Sequence, residues 1–536
     1  MAISEARPVS QSNGEAQNAP ANAVTQPRKK LYGREFYKSI GSPKFIVAPM
    51  VDRSEFAWRM LTRSFMPPDE PNPLLGYSPM FHARLFHEQS GMRLQHFHPT
   101  RAAIKGDDTP YLDGNPAIDR PLFVQFCANR PEDFYQAAVH VAPYCDAVDL
   151  NLGCPQGIAR RGHYGSFLQE DWDLIYKLIN KLHNELDIPV TAKFRIQESK
   201  EKTLEYAKMI LSAGASIITL HGRTREQKGH NTGVADWSYI RYLRDNLPPE
   251  TVLFANGNIL NYDDLERCLE ETGADGVMSA EGNLSDPAIF SKPPAEGSEG
   301  REYWRGRDGK GGYRIDAIFR RYLDIIYKYV LEQPVPERKP LYLPSDPEEA
   351  ETTIEPAPEE AEETGPPRKR QKRDKTKRPN SPSLGVMQGH LFQLLRPMVA
   401  KHTNVRDALA GSRPGDMAAF EHTLSLVEKA IKDGLKEYEQ FPERFETPPK
   451  QELKGSKATI AEYGRPWWVC QPHVRPLPEE ALENGALTEK KKNVKQDKSR
   501  TEAPADQTST PVQGAATPET PTNTSLTATP DALVSG

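Results

Sequence analysis

A chain of 536 residues is long enough for more than one hydrophobic core, yet apolar residues make up only 37% and prolines number 48, so a sizeable share belongs to no core. A net charge of −5 gives no global attraction to nucleic acid, so any such contact must come from local patches. No apolar run approaches the roughly 18 residues that span a bilayer, and the N-terminus lacks a signal-peptide core, which excludes a membrane reading. Five cysteines, odd in number and not at metal-ligand spacing, fit free thiols in a reducing compartment and no metal site.

Residues 1–30 hold no globular pattern and read as a disordered tail. Short β-branched or apolar runs then recur at Phe45–Ala48, Leu74–Pro79, Leu122–Phe126, Ala147–Leu150, Val190–Phe194, Ser216–Leu220, Val252–Ala255 and Gly276–Met278. Helical patterns separate them. Between Asp173 and Leu186 the residues Leu174, Leu178 and Leu182 with Ile175 and Ile179 form one stripe, and Lys202 to Ala213 carries another. Eight strands alternating with helices predict an α/β fold, a (β/α)8 TIM barrel over residues 31–300. A smaller α-helical domain follows at 301–343 and 386–450, with Ile315, Ile318, Phe319, Tyr322, Ile325, Ile326 and Tyr329 on one face. Residues 344–385 interrupt it with an acidic run and then a basic one, Arg368 to Arg378. That insert reads as a solvated linker; its basic run also has the composition of a nuclear-import signal, leaving cytoplasm and nucleus both open. Residues 451–476 read as a segment packing on the folded part, and 477–536 as a disordered tail.

In such a barrel, function gathers on the loops after the strands. Pro49, Met50 and Val51 follow the first strand, and Gln125 lies in the third near its mouth. Asn151 and Cys154 follow the fourth, Lys193 closes the fifth, and His221 and Arg223 follow the sixth. Asn256, Gly257 and Asn258 come after the seventh, Ala280 and Glu281 after the eighth. Gln, Lys, His and Asn converging on one rim suit a large, flat, phosphate-bearing cofactor, and glycines there let backbone N–H groups approach a phosphate. Cys154 sits on the turn Asn151-Leu152-Gly153-Cys154-Pro155, where a thiol can donate a proton or attack as thiolate while Asn151 reads a planar polar substrate. Plainer readings stand beside these. Lys193 alone could be a solvated cation, although between Ala192 and Phe194 an unpaired charge is costly without an anion facing it. His221 could be a core histidine. Gln125, within an apolar strand, needs partners in any reading. Cys127 and Cys145 read as core, and Cys268 as a helix residue with nothing to activate it.

Ala48-Pro49-Met50, Asn151-Leu152-Gly153-Cys154-Pro155, Lys193, His221-Gly222-Arg223-Thr224 and Asn256-Gly257-Asn258 together resemble the tRNA-dihydrouridine synthases. Cys154-Pro155-Gln156, Arg161-Gly162-His163-Tyr164-Gly165, Met278 to Leu284 and Trp468 to Pro472 resemble the eukaryotic branch acting on tRNA D-loop positions 16 and 17. The likeness is dense over residues 34–330 and patchy to Pro476. It implies an oxidoreductase with FMN, reduced by NADPH or NADH, that passes a hydride to uridine C6 while Cys154 protonates C5. It further implies Asn151 and Arg223 at the substrate. Pro49, Met50, Val51, Gln125, Lys193, His221, Asn256, Gly257, Asn258, Ala280 and Glu281 would surround the flavin, with Lys193 at the anionic reduced ring. A thiol of reference pKa near ~8.5 stays protonated at neutral pH, as the acid role requires.

One departure matters. Many family members have Gly-Arg where this chain has Ala280-Glu281, so Glu281 is expected to turn aside while backbone N–H groups meet the phosphate. The implied partner is tRNA, bound by a monomer with no metal and no membrane. Arg314, Arg320, Arg321, Lys328, Arg396, Lys401 and Arg406 of the helical domain would contact it, unless they are ordinary helix solvation. Two alternatives remain: a flavin barrel acting on free pyrimidine, like a dihydroorotate dehydrogenase, and a non-catalytic tRNA-binding protein.

Overall fold

Strand residues alternate between helix-facing and barrel-facing sets, and that period of two organises the barrel. The computed structural model describes residues 30–67, 72–101, 108–347, 381–446 and 455–483. Nine parallel strands run in chain order: β1 (Phe45–Val47), β2 (Gly76–Tyr77), β3 (Phe81–His82), β4 (Leu122–Cys127), β5 (Ala147–Leu152), β6 (Val190–Arg195), β7 (Ile217–His221), β8 (Val252–Asn256) and β9 (Gly276–Ser279). Their order is β1-β9-β8-β7-β6-β5-β4-β2, with β3 also on β4. Val47 N–H donates to Leu75 O (2.9 Å) and Leu75 N–H to Phe45 O (3.1 Å), which joins β1 to the β2 side and closes an eight-membered barrel. The (β/α)8 expectation is thereby met.

The predicted strand Leu74–Pro79 is shorter in the structure, β2 covering only Gly76–Tyr77, and β3 follows beyond Pro79. Pro79 has no N–H for the ladder, and Ser78 Oγ takes the N–H of Gln125 at 3.1 Å in place of a backbone carbonyl. Outward residues such as Phe126 and Phe194 pack on the surrounding helices, meeting Phe134 (6.2 Å between centroids) and Tyr206 (5.3 Å). The helices start where their caps lie. Asp171 accepts from Leu174 N and opens the helix Trp172–Glu185, and Ser199 accepts from Lys202 N and opens Lys200–Ser212.

After the barrel comes a hairpin, β10 (Tyr303–Arg305) with β11 (Gly311–Tyr313), then the helix Ile315–Ile325 continuing through a wider turn at Ile326–Leu331. The helices Pro382–Leu394, Arg396–Val399, Thr403–Gly411 and Met417–Gln440 complete the unit. It is seated on the barrel by the helix Phe56–Arg63. Trp58 stacks on His390 at 4.0 Å, and His390 also pairs with Glu55 at 3.0 Å. Barrel and helices therefore share one continuous core.

Most of the stretches read as tails and insert, including the basic run 368–378, lie outside the described residues. At their edges the structure differs from composition. Lys30 donates to the carbonyls of His183 (2.7 Å) and Leu186 (2.8 Å) at the end of a barrel helix. Residues 382–385 already belong to a helix, and Pro478–Glu483 is helical, its Glu480 accepting from Leu477 N and Ser456 N. Among the cations expected to meet RNA, Arg314 is only 2% exposed and donates to Asp316 and to the carbonyl of Tyr342, so it is a buried brace. Arg320 is paired with Glu428 at 2.5 Å and Arg321 with Glu302. No helix among the described residues is long and apolar enough to cross a membrane.

Candidate active site

Cys154 lies just past the C-terminal end of β5 on a turn held by a side chain. Asn151 Oδ1 accepts the N–H of Cys154 at 2.9 Å and of Gly153 at 3.1 Å. Its Nδ2 donates to Gln125 Oε1 (2.8 Å), Gln125 Nε2 donates to Asp149 Oδ2 (2.8 Å), and Thr191 Oγ1 donates to Asp149 Oδ1 (2.6 Å). Register explains the chain of bonds: Gln125 pairs with Asp149, Asp149 with Thr191, and Asn151 with Lys193. The buried amide of Gln125 thus finds its partners inside the barrel.

Electrostatics follow from burial. The Cys154 thiol is pushed above its ordinary value by desolvation, against the pull of the Gln156 backbone and of Arg195, Lys193 and Lys228. Lys193 is 6% exposed and is held down to about 8, first by burial and then by Arg195, with Asp149 and Cys154 pulling the other way. Burial lifts Asp149 to about 6, restrained by its bonds from Thr191 and Gln125 and by Lys193. His221 is pressed well below its usual range by burial and by Arg195, Lys193 and Arg223, so it is neutral. Its Nε2 faces Arg223 Nη1 at 3.1 Å and must accept, which leaves the proton on Nδ1. That Nδ1 and Asn256 Oδ1 are buried without a hydrogen-bond partner among the described residues.

A cavity of about 470 Å³ opens at the ends of β7, β8 and β9, within the usual range for a ligand site of about 300–1,000 Å³. His221, Arg223, Asn256, Gly257, Asn258, Ala280 and Glu281 all line it. Gly257 has φ +114°, and a Cβ there would lie 2.7 Å from Ala235 Cβ; one on Gly282 would meet Ile259 O at 2.2 Å. Gly257 thus lets the Ala235 and His221 side chains close on the backbone, and Gly282 lets backbone approach backbone. Arg223 donates to Asn258 Oδ1 at 2.8 Å, and Asn258 is itself fixed by Ala235. Glu281 accepts from Arg475 at 2.6 Å.

The expected rim is therefore assembled in two parts. Cys154, Asn151, Gln125 and Lys193 form one; the residues after β7, β8 and β9 form the other. Arg223, placed with the substrate by resemblance, stands on the cavity wall with His221 and Asn258. Pro49, Met50 and Val51 follow β1 and do not line the cavity, and Val51 is exposed. Glu281 also lines it, its charge met by Arg475. Several contributors were not singled out from sequence. Arg195 lines the cavity and donates from Nε to Gly153 O at 2.7 Å, linking the two parts. Its signal was available: two residues beyond Lys193, it must share that barrel-facing side. Asp149 and Thr191 obey the same alternation, whereas nothing local marked Arg475. An FMN group fits these polar groups: His221 offers an unpartnered N–H, Asn256 an unpartnered acceptor oxygen, and Arg195 and Arg223 line the cavity as guanidiniums, while the desolvated ammonium of Lys193 belongs to the neighbouring part of the rim.

Residues 46–305 match the family described as Dihydrouridine synthase (Dus). The chain is 44% identical over 451 residues to the tRNA-dihydrouridine(16/17) synthase of Schizosaccharomyces pombe, covering 84% of this chain and 92% of that protein. It is 42% identical over 461 residues to the protein of the same name from Saccharomyces cerevisiae, covering 85% and 88%. Against a tRNA-dihydrouridine(16/17) synthase-like protein of Mus musculus it is 47% identical over 278 residues, covering 51% and 54%.

Proposed function

The chain belongs to the dihydrouridine synthase family, and from that premise we propose that it reduces uridine to 5,6-dihydrouridine at positions 16 and 17 of the tRNA D-loop, with FMN as carrier and NADPH or NADH as reductant. One observation carries the reading: a half-buried thiol, Cys154, clamped by Asn151 beside the desolvated ammonium of Lys193.

Bound flavin supplies the hydride for C6 of the uracil. Cys154 gives its Sγ proton to C5, and desolvation keeps that proton in place throughout the neutral range. Asn151 has both Oδ1 lone pairs engaged by Gly153 and Cys154 and one Nδ2 hydrogen on Gln125. One amide hydrogen is left, enough to donate to a uracil carbonyl and set the ring's orientation over the thiol. Lys193, charged below about pH 8, stabilises negative charge developing beside it in a site poor in water. Lys228 and Arg225 lie over the Phe167 ring, at 5.8 and 5.3 Å, and Lys228 also holds Pro155 O at 2.5 Å. Lys228 flanks the Cys154 turn and suits a phosphate of an everted nucleotide, whereas Arg225 beside it is already paired with Glu170 and Glu226. Extruding a base from an already unpaired loop costs a few kcal/mol, within reach of such contacts.

The test uses purified protein, an unmodified tRNA transcript, FMN and NADPH, with dihydrouridine mapped by mass spectrometry of nuclease fragments. Product at positions 16 and 17 is expected. Equal reduction of a free pyrimidine without RNA overturns the tRNA reading, and protein lacking flavin absorbance overturns the cofactor reading.

A further inference from the structure

The cavity is closed on its outer side by a piece of chain remote from the barrel, the segment 455–483. Ser456, Tyr463, His473 and Arg475 of this segment all line it. The segment is fixed at both ends. Trp468 is fully buried against Trp304 (5.6 Å), Phe445 (4.9 Å) and Tyr438 (6.2 Å), and Cys470 N–H donates to Tyr313 O at 2.9 Å. Beyond the cavity, Glu480 gathers the N–H groups of Leu477 (2.8 Å) and Ser456 (3.0 Å). Between these anchors Arg475 reaches the rim, donating from Nη2 to Glu281 Oε1 at 2.6 Å.

Charge around the cavity is not balanced. The guanidiniums of Arg195, Arg223, Arg267 and Arg475 face the carboxylates of Asp264, Glu281 and Glu462. Asp264 is taken by Arg267 (2.5 Å) and Glu281 by Arg475. Arg223 thus stands beside Arg475 with their shared carboxylate already paired, an arrangement of like charges that an anion would relieve. The unpartnered Nδ1–H of buried His221 lies on the same cavity. A guanidinium carries five N–H donors in a planar fork and can hold a carboxylate and a phosphate together.

We propose that Arg475 is a cofactor-binding residue for the phosphate end of FMN, so that the phosphate site is composite, built by barrel loops on one side and by the C-terminal segment on the other. This rests on the reading of the cavity as the flavin site. Glu281 is then the positioning residue that aims Arg475, and its own charge is cancelled in doing so. An acidic residue on the barrel wall becomes compatible with an anionic ligand because a cation from far along the chain covers it.

The experiment compares FMN with riboflavin, which lacks the phosphate. Full-length protein stripped of flavin is titrated with each, following quenching of flavin fluorescence, for the wild type, Arg475→Ala, Arg475→Lys and Glu281→Gln. Arg475→Ala should weaken FMN about tenfold, the loss of one charge-assisted contact, and leave riboflavin within about twofold. Arg475→Lys should restore most of the FMN affinity. Glu281→Gln, which keeps an oxygen facing Arg475 but loses the charge that aims it, should weaken FMN less than Arg475→Ala does and leave riboflavin within about twofold. Equal weakening of both ligands by Arg475→Ala, or no change in either, overturns the assignment. Wild-type protein that binds neither ligand overturns the flavin reading itself, so the two failures are distinguishable.

Discussion

The two halves of the rim are built differently. Between β4 and β6, Gln125, Asp149, Asn151, Thr191 and Lys193 come from adjacent strands in direct register, and all but the lysine are joined in one hydrogen-bonded chain. Between β7 and β9 the groups come from loops and from Arg475, 194 residues away from Glu281, and they surround open volume with excess positive charge. The closed half leaves one thiol, one ammonium and one amide hydrogen of Asn151 for a ligand. The open half has an unpartnered donor on His221, an unpartnered acceptor on Asn256 and room for a ligand. On the proposed reading, chemistry falls to the part whose side chains are held by mutual hydrogen bonds, and binding to the part whose polar groups are not yet satisfied.

Cys154→Ala tests the closed half most severely. Dihydrouridine yield on tRNA should fall about 100-fold or more, the usual worth of a positioned acid, while NADPH oxidation continues; undiminished yield would remove Cys154 from the reaction. Trp468→Ala attacks the open half through its anchor. Removing a fully buried indole should cost about 3–5 kcal/mol in denaturant unfolding and release flavin along with it. If flavin stays bound at full occupancy, the segment is not a wall of the site. Asn151→Ala should cost about 1–3 kcal/mol, because the Gly153 and Cys154 N–H groups lose their acceptor, and kcat should drop more than KM rises. A change confined to KM would mean that Asn151 serves binding and not the placement of the thiol.

The mildest test is pH. Lys193 loses its proton near pH 8, so turnover should fall about tenfold between pH 7 and 9, and Lys193→Gln should be slow but flat over that range. Stability should move the opposite way. The folded lysine titrates below its unfolded value of about 10.4, so the unfolded chain holds more protons between about pH 8 and 10.4 and this residue's contribution rises with pH there. Parallel loss of activity and of Tm across that window would assign the alkaline limb to unfolding instead.

Much of the first half was legible in the amino-acid sequence. Alternation of period two, eight apolar runs separated by helical stripes, and a turn of Asn, Gly, Cys and Pro after the fourth run placed Cys154, Asn151, Gln125 and Lys193 at one rim, because strand geometry is local and exact to the residue. The same rule, carried two residues further, would have placed Arg195. Only the tertiary structure decided which charges are spent. Arg314 looks like any helix-start cation until Asp316 and Tyr342 O are seen to bury it. Glu281 looks hostile to an anion until Arg475 is seen to cover it. Pairing and desolvation depend on how neighbours fold together in space, whether they lie 28 residues apart like Arg314 and Tyr342 or 194 apart like Glu281 and Arg475, and no pattern read along the sequence contains that arrangement.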